Sequence, residues 1–296
     1  MNVLLLVGGT GLLGGRIAGK LHERGVAYRA LVREGSDASA LQGAEITRGD
    51  LQQPNTLHAA VDGVGTVVTT ATSIGRRLGG DKRVSIDGVD IRGNEALIEA
   101  AEQAGVERFV FVSVPMDRAM LVAPLPRAKQ RIEQRLERSS MRTVILRPEM
   151  FQEIWLSEVV KLDWRDSKAL IFGRGETPNA YVGVDDVAEA TVRAAVADDP
   201  PELLEFGGPD PMTRKQVVRR FEESLRRPLK VRHVPRPALR AGCALLQHVH
   251  PVQASVMGMA WAADVQEQPA SPTALRALGI EPRPTATYID GVARDA

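Results

Sequence analysis

A glycine-rich turn directly after the first strand is the feature that most limits what this chain can fold into. The stretch reads LLVGGTGLLGG over residues 5–15, with Gly8, Gly11 and Gly14 spaced three apart. The apolar run 3–7 is typical of a strand buried on both faces, whereas the apolar residues after the turn recur at helical spacing. The sequence therefore predicts a strand followed at once by a helix.

Such a turn favours an anionic ligand at the start of the helix. Glycines let backbone N–H groups approach a ligand without an intervening Cβ atom, and a helix N-terminus carries a partial positive charge. The third glycine lets the helix pack closely on the strand. We interpret the turn as a seat for a pyrophosphate. A tight turn without a ligand is the alternative interpretation.

The first half of the chain alternates between strand-like and helix-like segments. Strands are predicted at 3–7, 27–33, 44–47, 66–71, 108–114 and 142–148, and helices at 90–105 and 127–139. This alternation predicts an α/β fold with a doubly wound parallel sheet, the Rossmann architecture. In such sheets the ligand crevice lies at the carboxyl ends of the strands.

The second half of the sequence contains shorter segments, which are joined by proline- and glycine-rich links. Helices are predicted at 151–162, 185–197, 213–226 and 236–247, and strands at 169–173 and 203–208. We predict a nucleotide-binding domain over residues 1–150. Residues 151–296 are expected to form a smaller, mostly helical region that covers the substrate and does not fold independently.

Composition excludes several classes of function. The formal net charge of +1 offers no electrostatic reason to expect nucleic acid or a membrane surface as partner. The single cysteine, Cys243, suits a reducing compartment. With no signal peptide and no membrane-length apolar run, we expect a cytoplasmic protein. No metal site is expected, because His248 and His250 lack further ligands at suitable spacing. Motifs for nucleophilic hydrolases and P-loop enzymes are also lacking.

The end of the second strand indicates which nucleotide binds. Strands in this position usually end in an acidic residue that accepts hydrogen bonds from the ribose 2′-hydroxyl, but here Arg33 follows the strand. A guanidinium binds a 2′-phosphate instead, and Ser36 would add a donor. NADP(H) is therefore favoured over NAD(H), with a surface arginine as the alternative. Asp50 and Leu51 suggest an adenine contact, although Asp50 also suits a helix cap.

Several stretches taken in order resemble the NmrA-like group of atypical short-chain dehydrogenases/reductases. They are LLVGGTGLLGG, LVR, GDL, GNEALIEAAEQAGVERFVFVS, the lysine in PLPRAKQRIEQRLERS, RTVILRPEMFQE and YVGVDDVAEATVRAAV. The resemblance covers roughly residues 1–210 and is specific as an ordered set. It implies a nicotinamide cofactor and a small-molecule substrate.

The resemblance also implies which residues form the site. Those implied to bind the cofactor are Gly8, Thr10, Gly11, Leu12, Leu13, Gly14, Arg33, Asp50, Leu51, Thr70, Ala71, Thr72, Ser113, Lys129, Pro148 and Met150. Phe151 and Trp155 are expected to contact the substrate, with packing in the core as the alternative. Lys129 and Ser113 are the candidate catalytic residues.

One departure from the wider superfamily bears on the chemistry. The usual Tyr-x-x-x-Lys pair protonates a developing alkoxide, but Leu125 stands four residues before Lys129 and cannot exchange a proton. Three hypotheses stay open. In the first, the protein is an NADPH-dependent reductase of substrates that need no tyrosine, such as an enone, quinone, imine or dye. In the second, it is a non-catalytic NADP(H) sensor. In the third, it is a structural subunit. A monomer or homodimer is expected.

Overall fold

The computed structural model describes residues 3–266 and 269–294. The chain divides into two compact units, each built from separate segments. The first unit comprises Met1–Val114, Ala128–Arg147 and Val187–Leu204, and the second unit comprises Pro115–Arg127, Pro148–Asp186 and Glu205–Ala296. The domain division at residue 150 stays a sequence-based prediction.

The described part of the chain contains three sheets. The strands are β1 Val3–Val7, β2 Tyr28–Val32, β3 Glu45–Arg48, β4 Val64–Thr69, β5 Arg108–Val112, β6 Arg142–Pro148, β7 Leu162–Asp163, β8 Lys168–Phe172, β9 Pro178–Asn179, β10 Leu203–Phe206, β11 Met212–Thr213 and β12 Lys230–Val234. The largest sheet has seven strands in the order β10-β6-β5-β4-β1-β2-β3. Its pairings from β6 to β3 are parallel.

The predicted doubly wound α/β fold is confirmed by this strand order. From β1 the chain proceeds outward through β2 and β3, and then returns to place β4 on the other side of β1. In the register, Leu6 of β1 lies opposite Ala30 of β2 and Val68 of β4, and all three are buried. The reversal of strand order beside β1 is where such sheets bind ligands.

Helices connect these strands. They are α1 Leu12–Glu23, α2 Leu57–Val61, α3 Ile74–Leu78, α4 Asn94–Gln103, α5 Pro124–Leu136, α6 Gln152–Trp155, α7 Val184–Val196, α8 Arg214–Leu225, α9 Arg236–Leu246, α10 Pro251–Val265, α11 Thr273–Ala277 and α12 Thr285–Arg294. No helix in the described ranges combines the length and apolar character needed to cross a membrane.

Three predicted helices differ from the structure. The helix predicted over 127–139 begins and ends three residues earlier, as α5 at Pro124–Leu136. The helix predicted over 90–105 begins earlier, because a π-helix at Ile86–Gly93 leads into α4. The prediction of a helix over 151–162 was wrong for most of that range, because α6 ends at Trp155. After α6, the Ser157 hydroxyl caps a short 3₁₀ turn at Glu158–Val160, and Lys161 then adopts a left-handed conformation with φ of 61°.

The core of the first unit lies against the central sheet. Phe109 and Phe111 of β5 are fully buried there, together with Leu97 and Ile98 of α4. Strands buried on both faces consist almost entirely of apolar residues, which is why the sequence pattern located them.

The second unit contains a three-stranded sheet in the order β12-β8-β7 and a two-stranded antiparallel pair, β9 and β11. Its core includes Trp164 stacked on Phe221 of α8, with ring centroids 5.2 Å apart. Sequence reasoning missed β12, α10 and α12. The β12 segment KVRHV is exposed or half-buried and charged, so no apolar run marks it as a strand.

Candidate functional site

The glycine turn after β1 is closely packed. Gly8 has a φ of 92°, and a Cβ atom there would lie 2.7 Å from Oγ1 of Thr70. A Cβ atom on Gly14 would overlap the carbonyl group of Gly8. The turn is closed by a hydrogen bond from the Gly11 N–H to the Gly8 carbonyl, 3.0 Å long. Glycine is required at both ends of this turn for different physical reasons: backbone conformation at Gly8 and space at Gly14.

The first turn of α1 leaves backbone N–H groups available. Gly11 is its N-cap and, among the described residues, no side chain caps the helix there. The first N–H groups of a helix have no intrahelical acceptor, so they favour an anion. Thr10 and Leu12 are exposed, while Leu13 packs into the interior. Beside the turn, the N–H of Thr70 donates to the Val7 carbonyl at 3.0 Å, which holds the end of β4 next to Gly8.

Arg33 follows β2 and belongs to a group of charged side chains. Burial and the charge of Arg76 lower the pKa of the half-buried Arg33, while Asp50 and Asp81 oppose that shift. Arg76 and Arg83 both pair with Asp81, at 2.8 and 3.2 Å. Three cations thus share two carboxylates, so the group has a net positive charge. Sequence reasoning singled out Arg33 as a candidate but not Arg76, which comes from α3, about forty residues later.

The remaining predicted adenine-side residues lie at the ends of β3 and β4. Oδ1 of Asp50 accepts the N–H of Gln52 at 3.0 Å, so the side chain closes a turn; it does not cap the next helix, which begins at Pro54 with Gln53 as its N-cap. Leu51 is buried in the core. Oγ1 of Thr72 accepts a long bond from the N–H of Ile74, 3.4 Å, and Ala71 is half-buried.

Lys129 is buried beside the end of β5. The side chain is 4% exposed, and its Nζ donates to the Val112 carbonyl at 3.0 Å and lies 4.6 Å from the centre of the Phe111 ring. Burial lowers the pKa of Lys129, while the charges of Asp90 and Glu133 oppose the shift. A lysine with a lowered pKa exchanges protons more readily near neutral pH than an exposed one does.

Ser113, the other candidate catalytic residue, comes directly after β5. It is 4% exposed, and its N–H donates to the Leu146 carbonyl at 2.7 Å. Its Oγ is buried and has no hydrogen-bond partner among the described residues. A buried hydroxyl without a partner is unfavourable, which marks a position that a bound ligand would satisfy.

Asp90 of the π-helix and Asn94, the first residue of α4, belong to a buried network of hydrogen bonds. Oδ2 of Asp90 accepts both the N–H and the hydroxyl of Ser73, at 3.0 and 2.6 Å, while its Oδ1 has no partner in the described part of the chain. Asn94 donates to the carbonyls of Val89 and Asp90, and Thr69 donates to Asn94 at 3.3 Å. Sequence reasoning missed this network. A π-helix often occurs at functional sites, but it leaves no signature in a single sequence.

The substrate-side residues belong to the second unit. Pro148 and Met150 are buried, and the backbone of Phe151 bridges to Val182. Met150 and Trp155 line one cleft together with Tyr181. The second unit thus brings these two predicted residues together.

Glu149, between Pro148 and Met150, is a buried acid that sequence reasoning also missed. Burial raises its pKa to about 7, and the N–H of Ala270, 2.9 Å from Oε1, opposes that rise. Nearby Asp117 and Glu205 favour the protonated form. Between the ordinary pKa of 4.5 and about 7, the folded state therefore binds more protons than the unfolded state does.

We expect the stability of the protein to fall as the pH rises from about 4.5 to about 7, and Glu149→Gln to remove much of this loss. At about 1.4 kcal/mol per pKa unit, the variant should be more stable by about 3 kcal/mol at pH 8 and similar to the wild type at pH 4.5. Urea unfolding at both pH values measures this. The exposed Glu137→Gln is the control, and an equal effect of both variants would contradict the prediction.

Comparisons with known proteins agree with the fold and the glycine turn. A family model described as NAD(P)H-binding matches residues 8–198. The photosystem II assembly factor Ycf39 of Trieres chinensis is 29% identical over 235 residues, 78% of this chain and 72% of that protein. The NAD(P)H azoreductase of Xenophilus azovorans is 26% identical over 236 residues, 77% of this chain and 76% of that enzyme. The chain spans between 59% and 72% of the Ycf39 proteins it matches.

A solved structure shares the same fold along the chain. The NADPH-dependent quinone oxidoreductase QOR2 of Escherichia coli, complexed with NADPH, superposes with a TM-score of 0.76 at 18% identity. The match covers 98% of this chain and 99% of that one. At this level of identity the likeness concerns the fold.

Proposed function

Because this chain belongs to the NAD(P)H-binding family, we propose that it is an NADPH-dependent reductase. Its substrate would be a small, largely apolar organic compound such as an enone, quinone, imine or carbonyl compound. The observation that carries the proposal is the buried Lys129, whose pKa is lowered, on a helix beside strand β5. Ser113 follows that strand directly, and its buried hydroxyl has no partner within residues 3–266 and 269–294. Lysine is almost never fully buried unless it is paired, and in the described part of the chain the hydrogen bond of Lys129 goes to a backbone carbonyl and not to a carboxylate.

The residues of the first unit fit a dinucleotide. Gly8, Gly11 and Gly14 form a cradle that Cβ atoms would fill, next to uncapped N–H groups that suit a pyrophosphate. Thr70 and Ala71, which adjoin Gly8, would border the adenosine ribose. Ser113 and Lys129 would hydrogen-bond to the second ribose, which would satisfy the Ser113 hydroxyl.

The arginine group around Arg33 supports a preference for NADP(H) over NAD(H). Arg33, Arg76 and Arg83 outnumber the carboxylates Asp81 and Asp50, so an added phosphate would improve the local charge balance.

We expect Arg33→Ala to weaken NADPH binding by about 10- to 100-fold, the loss of one or two hydrogen bonds between charged groups. Binding of NADH should change little, because NADH has no 2′-phosphate. Titration of nucleotide fluorescence measures both affinities, and the exposed Arg138→Ala is the control. An equal loss for both nucleotides would contradict a role in selecting the phosphate.

The proposed chemistry divides between the cofactor and the chain. When bound, NADPH supplies a hydride, which is two electrons and one hydrogen nucleus, and leaves as NADP⁺. The chain would supply the proton that completes the reduction. Lys129 is the proposed donor, directly or through the hydroxyl of Ser113 and a water molecule, because Leu125 offers no proton.

NADPH oxidation with a panel of quinones, enones, imines and azo dyes tests the proposed reaction. The names of two similar proteins, an azoreductase and a quinone oxidoreductase, support the choice of substrates. Turnover that requires both NADPH and one of these acceptors is the expected result. No turnover with any acceptor, despite tight NADPH binding, would contradict the reductase proposal.

A non-catalytic NADP(H)-dependent regulator is the second candidate. The observation that favours it is Leu125, which is 6% exposed at the position where related enzymes carry tyrosine, so no alternative acid replaces it there. The similarity to an assembly factor points in the same direction. Tight binding without turnover would support this candidate. A cytoplasmic location and a monomeric or homodimeric state belong to both proposals.

A further inference from the structure

The second unit contains a cleft that combines apolar walls with a buried guanidinium. The lining residues that matter here are Met150, Trp155, Phe172, Tyr181, Arg214 and Asp264. All of them belong to the second unit, so the cleft is formed within it. Its cavity has a volume of about 20 Å³, enough for a small polar group only, whereas Trp155 and Phe172 in its wall are half-buried and extend to the protein surface.

Arg214 is held firmly at the start of α8. A capping box fixes that end of the helix, because Thr213 and Gln216 exchange hydrogen bonds of 3.1 and 2.8 Å. The Arg214 side chain donates from Nη1 to the Trp155 carbonyl and from Nε to the Leu170 carbonyl. The residue is 6% exposed, and its Nη2 has no acceptor among the residues that the structure describes.

The charge of Arg214 is not balanced by a carboxylate in the described residues. Asp264 shares the cleft, but its carboxylate accepts the N–H groups of Arg174 and Gly175, at 2.9 and 2.7 Å, and pairs with Arg236 at 2.5 Å. Its negative charge is therefore already neutralised. An unpaired buried cation is strongly unfavourable, so a site of this kind favours an anion.

Tyr181 adds a second donor to the cleft. It is 2% exposed, and burial raises the pKa of its hydroxyl, although the charge of Arg214 and a hydrogen bond that the phenol oxygen accepts from the Arg214 side chain oppose the rise, so only the O–H proton of Tyr181 is left to donate. A phenol with a raised pKa keeps its proton at neutral pH, so Tyr181 is a neutral donor and not the counter-ion of Arg214. The cleft thus offers a cationic donor and a neutral one.

We propose that this cleft binds the carboxylate of a small ligand, which accepts hydrogen bonds from Arg214 Nη2 and the Tyr181 hydroxyl. The carboxylate would occupy the small cavity, and the apolar body of the ligand would lie at its mouth, against the half-buried Trp155 and Phe172. Two donors match the two oxygen atoms of a carboxylate, whereas a phosphate or sulfate carries more oxygen atoms than the cleft has donors. The inference does not rest on hydride transfer, because the cleft lies in the second unit and binding of this ligand requires no nucleotide.

Calorimetric titration of the full chain with trans-cinnamate, at pH 7 and without nucleotide, tests the proposal. Cinnamyl alcohol has the same apolar body and no charge. We expect cinnamate to bind about 10-fold more tightly than the alcohol, or better, because hydrogen bonds between charged groups exceed neutral ones in strength. Equal affinities, or no binding of cinnamate, would overturn the proposal.

Two variants locate the bound carboxylate. Arg214→Lys should weaken cinnamate binding by about 10-fold, because lysine cannot reproduce the guanidinium geometry. Arg227→Lys is the matched control, since Arg227 also donates to two backbone carbonyls, those of Trp164 and Arg165, outside the cleft. Equal losses in both variants would overturn the assignment.

Tyr181→Phe removes only one oxygen atom, so it remains informative even if Arg214→Lys fails to fold. It should weaken binding of cinnamate several-fold, by about the contribution of one hydrogen bond, and leave binding of cinnamyl alcohol nearly unchanged. An unchanged affinity for cinnamate in this variant would contradict the role of Tyr181.

Discussion

Lys129→Met is expected to lower kcat for NADPH-dependent reduction by about 100-fold or more, the usual contribution of a positioned proton donor. Methionine has a similar length and fits an apolar position, so the variant removes the charge and the proton with little change in packing. Steady-state kinetics at saturating NADPH separate this loss from any weakening of cofactor binding.

The pH dependence of the reaction gives the more specific test. Because burial lowers the pKa of Lys129, the protonated, proton-donating form is lost as the pH rises through that lowered value. Wild-type kcat should therefore decline on the alkaline side. Lys129→Arg, which stays protonated, should lose that decline while its kcat is reduced.

Lys20→Met is the control for Lys129, since Lys20 lies in the last turn of α1, far along the helix from the glycine turn, and pairs with Glu189 at 3.5 Å. It should retain both the rate and the pH profile of the wild type. If Lys129→Met raised the Kd for NADPH but left kcat unchanged at saturation, Lys129 would bind the cofactor without donating a proton.

Gly14→Ala is expected to abolish measurable NADPH binding, an effect of about 100-fold or more on Kd. The added Cβ atom would overlap the Gly8 carbonyl, so the start of α1 would have to move away from the turn that forms the proposed pyrophosphate seat. Such overpacking should also lower stability by about 1–3 kcal/mol. Fluorescence titration and urea unfolding measure the two effects.

The matched control lies on the same helix. A Cβ atom on Gly19 would meet no atom within 4 Å, so Gly19→Ala should leave NADPH binding unchanged. It should raise stability by as much as about 1 kcal/mol, because alanine is the better helix former. If the two variants behaved alike, close packing at Gly14 would not be what the turn requires.

Local sequence patterns predicted the central sheet because its strands are short, apolar and separated by helices. The run at 3–7 matches β1, the run at 142–148 matches β6, and the pattern also explains the parallel pairing. The prediction was wrong at 151–162, where the apolar residues after Phe151 suggested a helix. These residues lie in the short α6 and in a 3₁₀ turn. The spacing of apolar residues does not distinguish that arrangement from one continuous helix.

The residues of the candidate site also divide into those that the sequence indicated and those that it did not. The glycine spacing, Arg33, Ser113, Lys129 and the missing tyrosine at Leu125 were all visible in the sequence, because each is tied to a recognisable motif or strand end. Other polar groups were not visible. Their side chains come from segments far apart in sequence, and a single sequence carries no signal of which distant residues meet.

The sequence by itself thus determined the strand–turn–helix unit and the order of the elements, since backbone conformation at glycine and the period of apolar residues are local properties. Only the tertiary structure decided which charges become buried. Asp90 accepts a hydrogen bond from Ser73, Arg76 lies near Arg33, burial raises the pKa of Glu149 to about 7, and Arg214 lies beside Tyr181. The physical reason is that desolvation and charge pairing depend on every element packed around a group, and not on its neighbours in sequence.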